Sequence, residues 1–376
     1  MKVEFFRHNL DQSDIDRAVG VLRSIFLTTG AQVAEFEKDL AAYLGVSHAV
    51  GVTSCTAALH LCLLAWDIGD GDEVITTPMT FCATSNSVMH AGATPVFCDV
   101  EKGTGNIDAA RIEEKITSRT KAIMPVHLYG QMCDMQAIRA IADRHKLVVI
   151  EDAAHCIEGV RDGVRPGQLG DAACFSFYAT KNITSGEGGG IATRHADKAV
   201  LLQMLRSHGI DRTAADRYTK KYKHWEMPIL GWKYNMDNIQ GALLIGQLKR
   251  IDALWQKRDA VARRYEAAFR GVPGLELHTT VPGSRHPRHL FTVLVEDGKR
   301  DDMLLALQER GVGVAVNYRA VHLLEYYRKR FGYTEGDFPI AEDIGRRTLS
   351  IPLYPSLTDG EIEYVIDSVR SVVSKG

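Results

Sequence analysis

Residues 135–155 read MQAIRAIADRHKLVVIEDAAH. Met135 to His145 repeats apolar side chains at helical spacing, and Leu147 to Ile150 is an apolar, β-branched run. A helix feeding a strand that shows no polar alternation is one unit of a parallel sheet covered by helices, because only a strand buried on both faces lacks a polar side. The same alternation extends both ways along the chain. Candidate strands are Ala49 to Val52, Glu73 to Thr76, Thr94 to Val100, Ala122 to Val126, Ala172 to Phe177 and Gly190 to Thr193, with helical patterns at Thr56 to Trp66 and Thr80 to Ala91. The fold class is α/β with a mostly parallel sheet. Ligands in such sheets bind beyond the carboxyl ends of the strands, so the residues after each strand are the first candidates for chemistry.

Asn238 to Phe269 predicts one long amphipathic helix leading from a large domain, residues 1–250, into a smaller α+β domain, residues 251–376. In the latter, His289 to Val295 and Gly313 to Asn317 read as strands, and Asp301 to Arg310 and Asp359 to Val373 as helices. Arg212 to His224 reads as a polar, basic loop.

Of 376 residues, 45 are Lys or Arg and 47 Asp or Glu, a formal charge of -2. No global positive field exists to hold nucleic acid or an anionic membrane, and neither partner is expected. The longest stretch without Asp, Glu, Lys or Arg, Ala41 to Trp66, is broken by Gly45, Ser47, His48 and Gly51 and reads as core. Lys2, Glu4 and Arg7 leave no room for the apolar part of a secretory signal, so a cytoplasmic setting is expected. Seven cysteines (Cys55, Cys62, Cys82, Cys98, Cys133, Cys156, Cys174) are an odd number without a C-x-x-C pair. Neither a disulfide framework nor a metal site is implied.

Nucleotide-loop, zinc-protease and nucleophile-elbow motifs are missing. What stands instead is Ser176-Phe-Tyr-Ala-Thr-Lys181, followed by the glycine-rich Gly186 to Gly190. An isolated lysine there is ordinarily solvated, but its neighbours weigh against that. The strand ending at Ile150 runs into Glu151-Asp152, where an unpaired carboxylate at the ligand end of the sheet would be costly. Asp152 reads either as a helix N-cap or as the partner of a cation. The pyridinium nitrogen of pyridoxal 5'-phosphate (PLP) is such a cation, and a carboxylate keeps it protonated. Thr53-Ser54-Cys55-Thr56 opens a helix, where free N–H groups and the helix dipole make an anion site suited to the cofactor's phosphate. Ser176 offers a further hydroxyl, and Phe81, after a strand end, offers a face for stacking, although core packing explains such a phenylalanine as well.

Ordered segments across almost the whole chain resemble the DegT/DnrJ/EryC1/StrS sugar aminotransferases, PLP enzymes of the aspartate aminotransferase fold (fold type I). They are Leu27-Thr28-Thr-Gly30, Thr53 to His60, Thr80 to Thr84, Pro125 to Gln131, Glu151 to His155, Ser176 to Gly190, Asn317 to Leu323 and Leu349 to Pro355. The resemblance implies that Lys181 is the Schiff-base lysine, Asp152 pairs with the ring nitrogen, Phe81 stacks on the ring, and His155 lies by the ring hydroxyl. Cys55 and Thr56, flanked by Thr53 and Ser54, would hold the phosphate with Ser176. Many members read Gly-Tyr-Asn-Tyr-Arg-Met where this chain has Gly231-Trp-Lys233-Tyr-Asn235-Met. The Asn of those members reaches the phosphate from the neighbouring subunit, and Asn235 rather than Lys233 is expected to do so here, in a homodimer with shared active sites.

The implied reaction is ping-pong transamination, in which Lys181 shuttles a proton, L-glutamate is the donor, and the cofactor alternates with pyridoxamine 5'-phosphate. The acceptor would be a nucleotide-diphosphate keto sugar, by resemblance a 4-keto and UDP-linked one, in cell-surface polysaccharide or amino-sugar biosynthesis. Thr28, Tyr129, Glu187, Lys223 (with Lys220 and Lys221), Arg319 and His322 are substrate-side candidates, and His127 a further lining residue. A related dehydratase lacks the lysine, so Lys181 argues against it. A catalytically silent sugar sensor would have no need of Asp152, Ser176 and Lys181 together.

Overall fold

The apolar runs pair into one large sheet in the computed structural model, which describes residues 1–212 and 224–374. Its strands are β1 (His48–Val52), β2 (Glu73–Thr76), β3 (Thr94–Phe97), β4 (Thr120–Ile123), β5 (Val148–Asp152), β6 (Ala172–Ser176) and β7 (Gly189–Thr193), in the order β1-β7-β6-β5-β4-β2-β3. Strands β3, β2, β4, β5 and β6 pair in parallel, whereas β7 runs antiparallel to both β6 and β1. Helices α1 (Gln12–Leu22), α2 (Ala31–Leu44), α3 (Cys55–Ala65), α4 (Ala83–His90), α5 (Met135–His145), α6 (Ala196–Leu205) and α7 (Asn238–Lys249) accompany it. Successive strand residues point to opposite faces. Val149 and Phe175 therefore pack with Phe36, Leu40, Ile138 and Leu244, while Ile150 and Cys174 pack with Leu59, Leu63, Val88 and Leu202. Both faces are dry, which explains the missing polar alternation.

The expected helix over 238–269 is two. It breaks at Arg250 (φ −110°, ψ 11°), and α8 (Ile251–Phe269) follows. The cause is tertiary: the Arg250 guanidinium turns back onto Asp14 Oδ1 (3.0 Å) and the Asn9 carbonyl (3.0 Å), a pairing that apolar periodicity cannot reveal. Beyond the break, β8 (Leu275–Leu277), β9 (Phe291–Val295) and β10 (Thr348–Ile351) form an antiparallel sheet ordered β10-β9-β8. It packs with α8, α9 (Arg300–Glu309) and α12 (Asp359–Val373), and Tyr265, Phe291, Val293, Val365 and Val369 make a second hydrophobic cluster. Helices α10 (Glu325–Phe331) and α11 (Pro339–Arg347) lie between.

The expected strand Gly313 to Asn317 is absent, and only the bridges Val3–Val312 and Ala315–Ser350 mark it. The first residues of the chain take up its backbone, with Val3 N–H donating to the Gly311 carbonyl (2.9 Å) and Gly313 N–H to the Val3 carbonyl (2.8 Å). A Cβ at Gly313 would lie 2.4 Å from Phe5 N, so this approach needs glycine. Of the basic loop, residues 213–223 lie outside the described residues. No helix among the described residues is long and apolar enough to cross a membrane.

Glu158 and Arg258 form a fully buried ion pair that fastens α8 to the large sheet's loops, with Asn182 Nδ2 donating to Glu158 at 2.8 Å. Removing one partner of such a pair strands the other charge. Arg258→Met should lower stability by about 3 kcal/mol in urea unfolding. Adding Glu158→Gln should restore part of that loss, and a double variant as unstable as the single would refute this cause.

Candidate active site

The carboxyl ends of the parallel strands open onto a cavity of about 590 Å3. The loop after β2 contributes Thr80 and Phe81 and the first turn of α4 Thr84, β5 ends in Asp152 and His155 follows, and β6 ends in Ser176 and Lys181 follows. The N-terminus of α3 adds Ser54, Cys55 and Thr56. Glycine at 189 permits this assembly, since a Cβ there would lie 2.3 Å from the Ser54 carbonyl carbon.

Asp152 closes β5, the middle strand of the seven, and is 5% exposed. No helix follows it, which removes the N-cap reading. Thr84 Oγ1 donates to Oδ2 (2.7 Å), and Ala154 N–H donates to Oδ1 (3.1 Å). Burial pushes the Asp152 pKa up, while the Thr84 and Ala154 bonds and the Lys181 charge pull it down. A carboxylate has about four lone-pair sites, so these donors leave it room for a cationic N–H. Burial pushes Lys181 down to about 8, against smaller opposing contributions from Cys55 and Asp152. The Cys55 thiol, 4.0 Å from Asp152 Oδ1, is pushed well up by burial and then by that carboxylate, so it stays protonated.

Ser54 Oγ caps α3 by accepting from Ala57 N–H (3.1 Å), and the earlier N–H groups of Cys55 and Thr56 have no intrahelical partner. Thr53 does not line the cavity; its N–H donates to the Tyr234 carbonyl (2.9 Å). Phe81 is 56% exposed, with one side against Tyr318 (centroids 5.8 Å apart). His155 is buried against His289 (centroids 4.3 Å apart), and burial, followed by Lys181, holds its pKa well below the usual value. These groups fit PLP: N–H donors for a phosphate, a carboxylate for a ring nitrogen, an amine for an aldehyde, and an exposed aromatic face.

The other expected residues divide. Glu187 lines the same cavity. Thr28, Lys233 and Asn235 line a separate one of about 150 Å3, where Asn235 Nδ2 donates to Thr29 Oγ1 (2.8 Å). Arg319 is exposed and faces a third space of about 590 Å3 with Arg300, Arg328 and Arg346. Tyr129 and His322 do not reach the Lys181 cavity. Tyr129 donates its hydroxyl to the Asn317 carbonyl, and His322, 0% exposed, pairs through Nε2 with Glu342 (3.0 Å). His127 is likewise occupied, with Nε2 on Glu151 (2.8 Å). Lys220, Lys221 and Lys223 lie outside the described residues. Sequence reasoning passed over Thr84, Asn317, Tyr318 and Phe5. Thr84 and the Asn317-Tyr318 pair stand inside the matched segments, whereas nothing in the sequence places Phe5 beside Lys181.

A model of the DegT/DnrJ/EryC1/StrS aminotransferase family matches residues 8–370. The spore coat polysaccharide biosynthesis protein SpsC of Bacillus subtilis is 44% identical over 370 residues, 97% of this chain and 95% of SpsC. GDP-perosamine synthase of Caulobacter vibrioides is 39% identical over 370 residues, 97% and 96% of the two chains. Spr1654 from Streptococcus pneumoniae, solved in PMP and PLP forms, superposes in its PMP form with a TM-score of 0.94 at 28% identity, over 100% of both chains.

Because Lys181 has a folded-state pKa of about 8 against 10.5 when solvated, the unfolded chain holds more protons between those values. The cost of burying the ammonium is full below pH 8 and disappears as pH rises through 10.5. In the cofactor-free protein, Lys181→Met should raise stability at pH 7 by on the order of 2 kcal/mol. Urea midpoints taken from pH 7 to pH 10 should show that gain shrinking, and a constant gain would contradict it.

Proposed function

The chain belongs to the DegT/DnrJ/EryC1/StrS aminotransferase family, and on that premise we propose that it is a PLP-dependent sugar aminotransferase that moves the amino group of L-glutamate onto a nucleotide-linked 4-keto sugar. The observation that carries this reading is the convergence of Lys181, Asp152 and the N-terminus of α3 on one cavity. Bound PLP supplies an electrophilic aldehyde and an electron-withdrawing ring. Lys181 would hold the aldehyde, Asp152 the ring nitrogen, Cys55 and Thr56 with Ser176 the phosphate and Phe81 the ring face, with His155 close to the ring hydroxyl. With a pKa near 8, Lys181 Nζ is neutral in a sizeable fraction of molecules near neutral pH, so it can take a proton from a substrate carbon and return it. Thr84 holds Asp152 in its rotamer through the 2.7 Å bond, and the surrounding protein keeps water from the carboxylate.

Asn235, with Thr28 and Lys233, lines a cavity apart from its own Lys181, which supports a homodimer in which each chain completes its partner's phosphate site. Thr28, Arg319 and Glu187 remain the substrate-side candidates among the described residues. A division into domains of residues 1–250 and 251–376 accords with the break at Arg250 and the second hydrophobic cluster. Polysaccharide or amino-sugar biosynthesis in the cytoplasm is the proposed setting, supported by SpsC and GDP-perosamine synthase among the relatives.

Wild type loaded with PLP should absorb in the visible, and L-glutamate should bleach that band. Lys181→Ala should not respond in this way, and a wild type without a visible band would refute the assignment. For the shared site, Lys181→Ala and Asn235→Ala chains mixed and allowed to reassort should recover roughly a quarter of wild-type activity, since half the dimers then carry one intact site. No recovery would place Asn235 outside the partner's site.

A further inference from the structure

The polar groups attributed to the cofactor come from the large sheet and the loops at its carboxyl ends. Two polar residues that line the same cavity, Asn317 and Tyr318, do not. Tyr318 arises between α9 and α10 and lies against the exposed Phe81. Its hydrogen bonding has a definite direction. Tyr129 N–H donates to His155 Nδ1 (3.3 Å), so the proton of the neutral ring is on Nε2. His155 Nε2–H therefore donates to Tyr318 Oη (3.1 Å). The oxygen accepts in this bond, which leaves its own O–H to donate, and the ring lines the cavity. Burial keeps the phenol protonated.

The rest of the arrangement makes Tyr318 rigid. His289 stacks on His155 and anchors its own Nδ1–H on Asn182 Oδ1 (3.2 Å). The His155 and Tyr318 rings are nearly parallel, at an interplanar angle of 17°. A donor held in this way, in the cavity that Lys181 and Asp152 line, suits a hydroxyl or carbonyl oxygen of a sugar.

We propose that Tyr318 donates its hydroxyl hydrogen to an oxygen of the bound keto sugar and so determines acceptor specificity, with His155 as its positioning residue. This rests on the aminotransferase reading and adds a residue that acts on the second substrate alone.

The two half-reactions separate the proposal from that reading. Wild type and Tyr318→Phe, each loaded with PLP, are treated with L-glutamate and the loss of the visible band is timed. The bleached enzymes, freed of glutamate, are then mixed with UDP-, dTDP- or GDP-linked 4-keto-6-deoxyhexose, and return of the band is timed. Tyr318→Phe should keep its visible band and bleach at a rate within about twofold of wild type, while its kcat/KM for the sugar falls by about 10- to 100-fold. The isosteric ring retains the contact with Phe81, so the glutamate step also reports an intact fold. Equal losses in both half-reactions, loss of the band, or no loss in either step would overturn the role of Tyr318. A wild type that reacts with glutamate but with none of the sugars would overturn the functional reading and this proposal with it.

Discussion

A carboxylate buried at the end of the middle strand of a seven-stranded sheet constrains everything around it. Thr84, the Ala154 amide and the Lys181 charge offset part of the cost of keeping Asp152 in so dry a place, and each comes from a different part of the chain. Thr84 requires α4 to start where it does, Ala154 requires the turn after β5, and Lys181 requires the loop beyond β6 to fold back over the strand ends. The polarity that makes the site chemically useful thus opposes the burial that makes the sheet stable.

Much of this was legible beforehand because burial on both faces leaves a clear trace in the residues themselves. The limits of β2, α5 and α12 were read to the residue, and Lys181, Asp152, Ser176 and the α3 terminus were correctly brought to one end of the sheet. What escaped depends on partners distant in sequence. An amphipathic pattern runs unbroken through Arg250, yet the helix stops there because Asp14, 236 residues away, takes the guanidinium. Gly313 to Asn317 has strand composition, yet its neighbours are the first residues of the chain and single bridges instead of a ladder.

Charged and polar candidates near matched motifs are the least readable class. His127, Tyr129 and His322 look alike on paper to His155, but three of the four are held by Glu151, Asn317 and Glu342 away from the cavity. In this chain the hydrogen-bond partner, which the sequence does not show, separates a bracing side chain from a lining one.

The seating of Val3 between Gly311 and Gly313 has a consequence for how the chain is made. Val3 belongs to the hydrophobic cluster built from α8, β9 and α12, and it carries Phe5 to the edge of the cavity. During synthesis Val3 and Phe5 emerge well before the surface that receives them. Every strand of the large sheet is made before Gly311 and Gly313, so the sheet can form while the cavity still lacks the wall that Phe5 supplies.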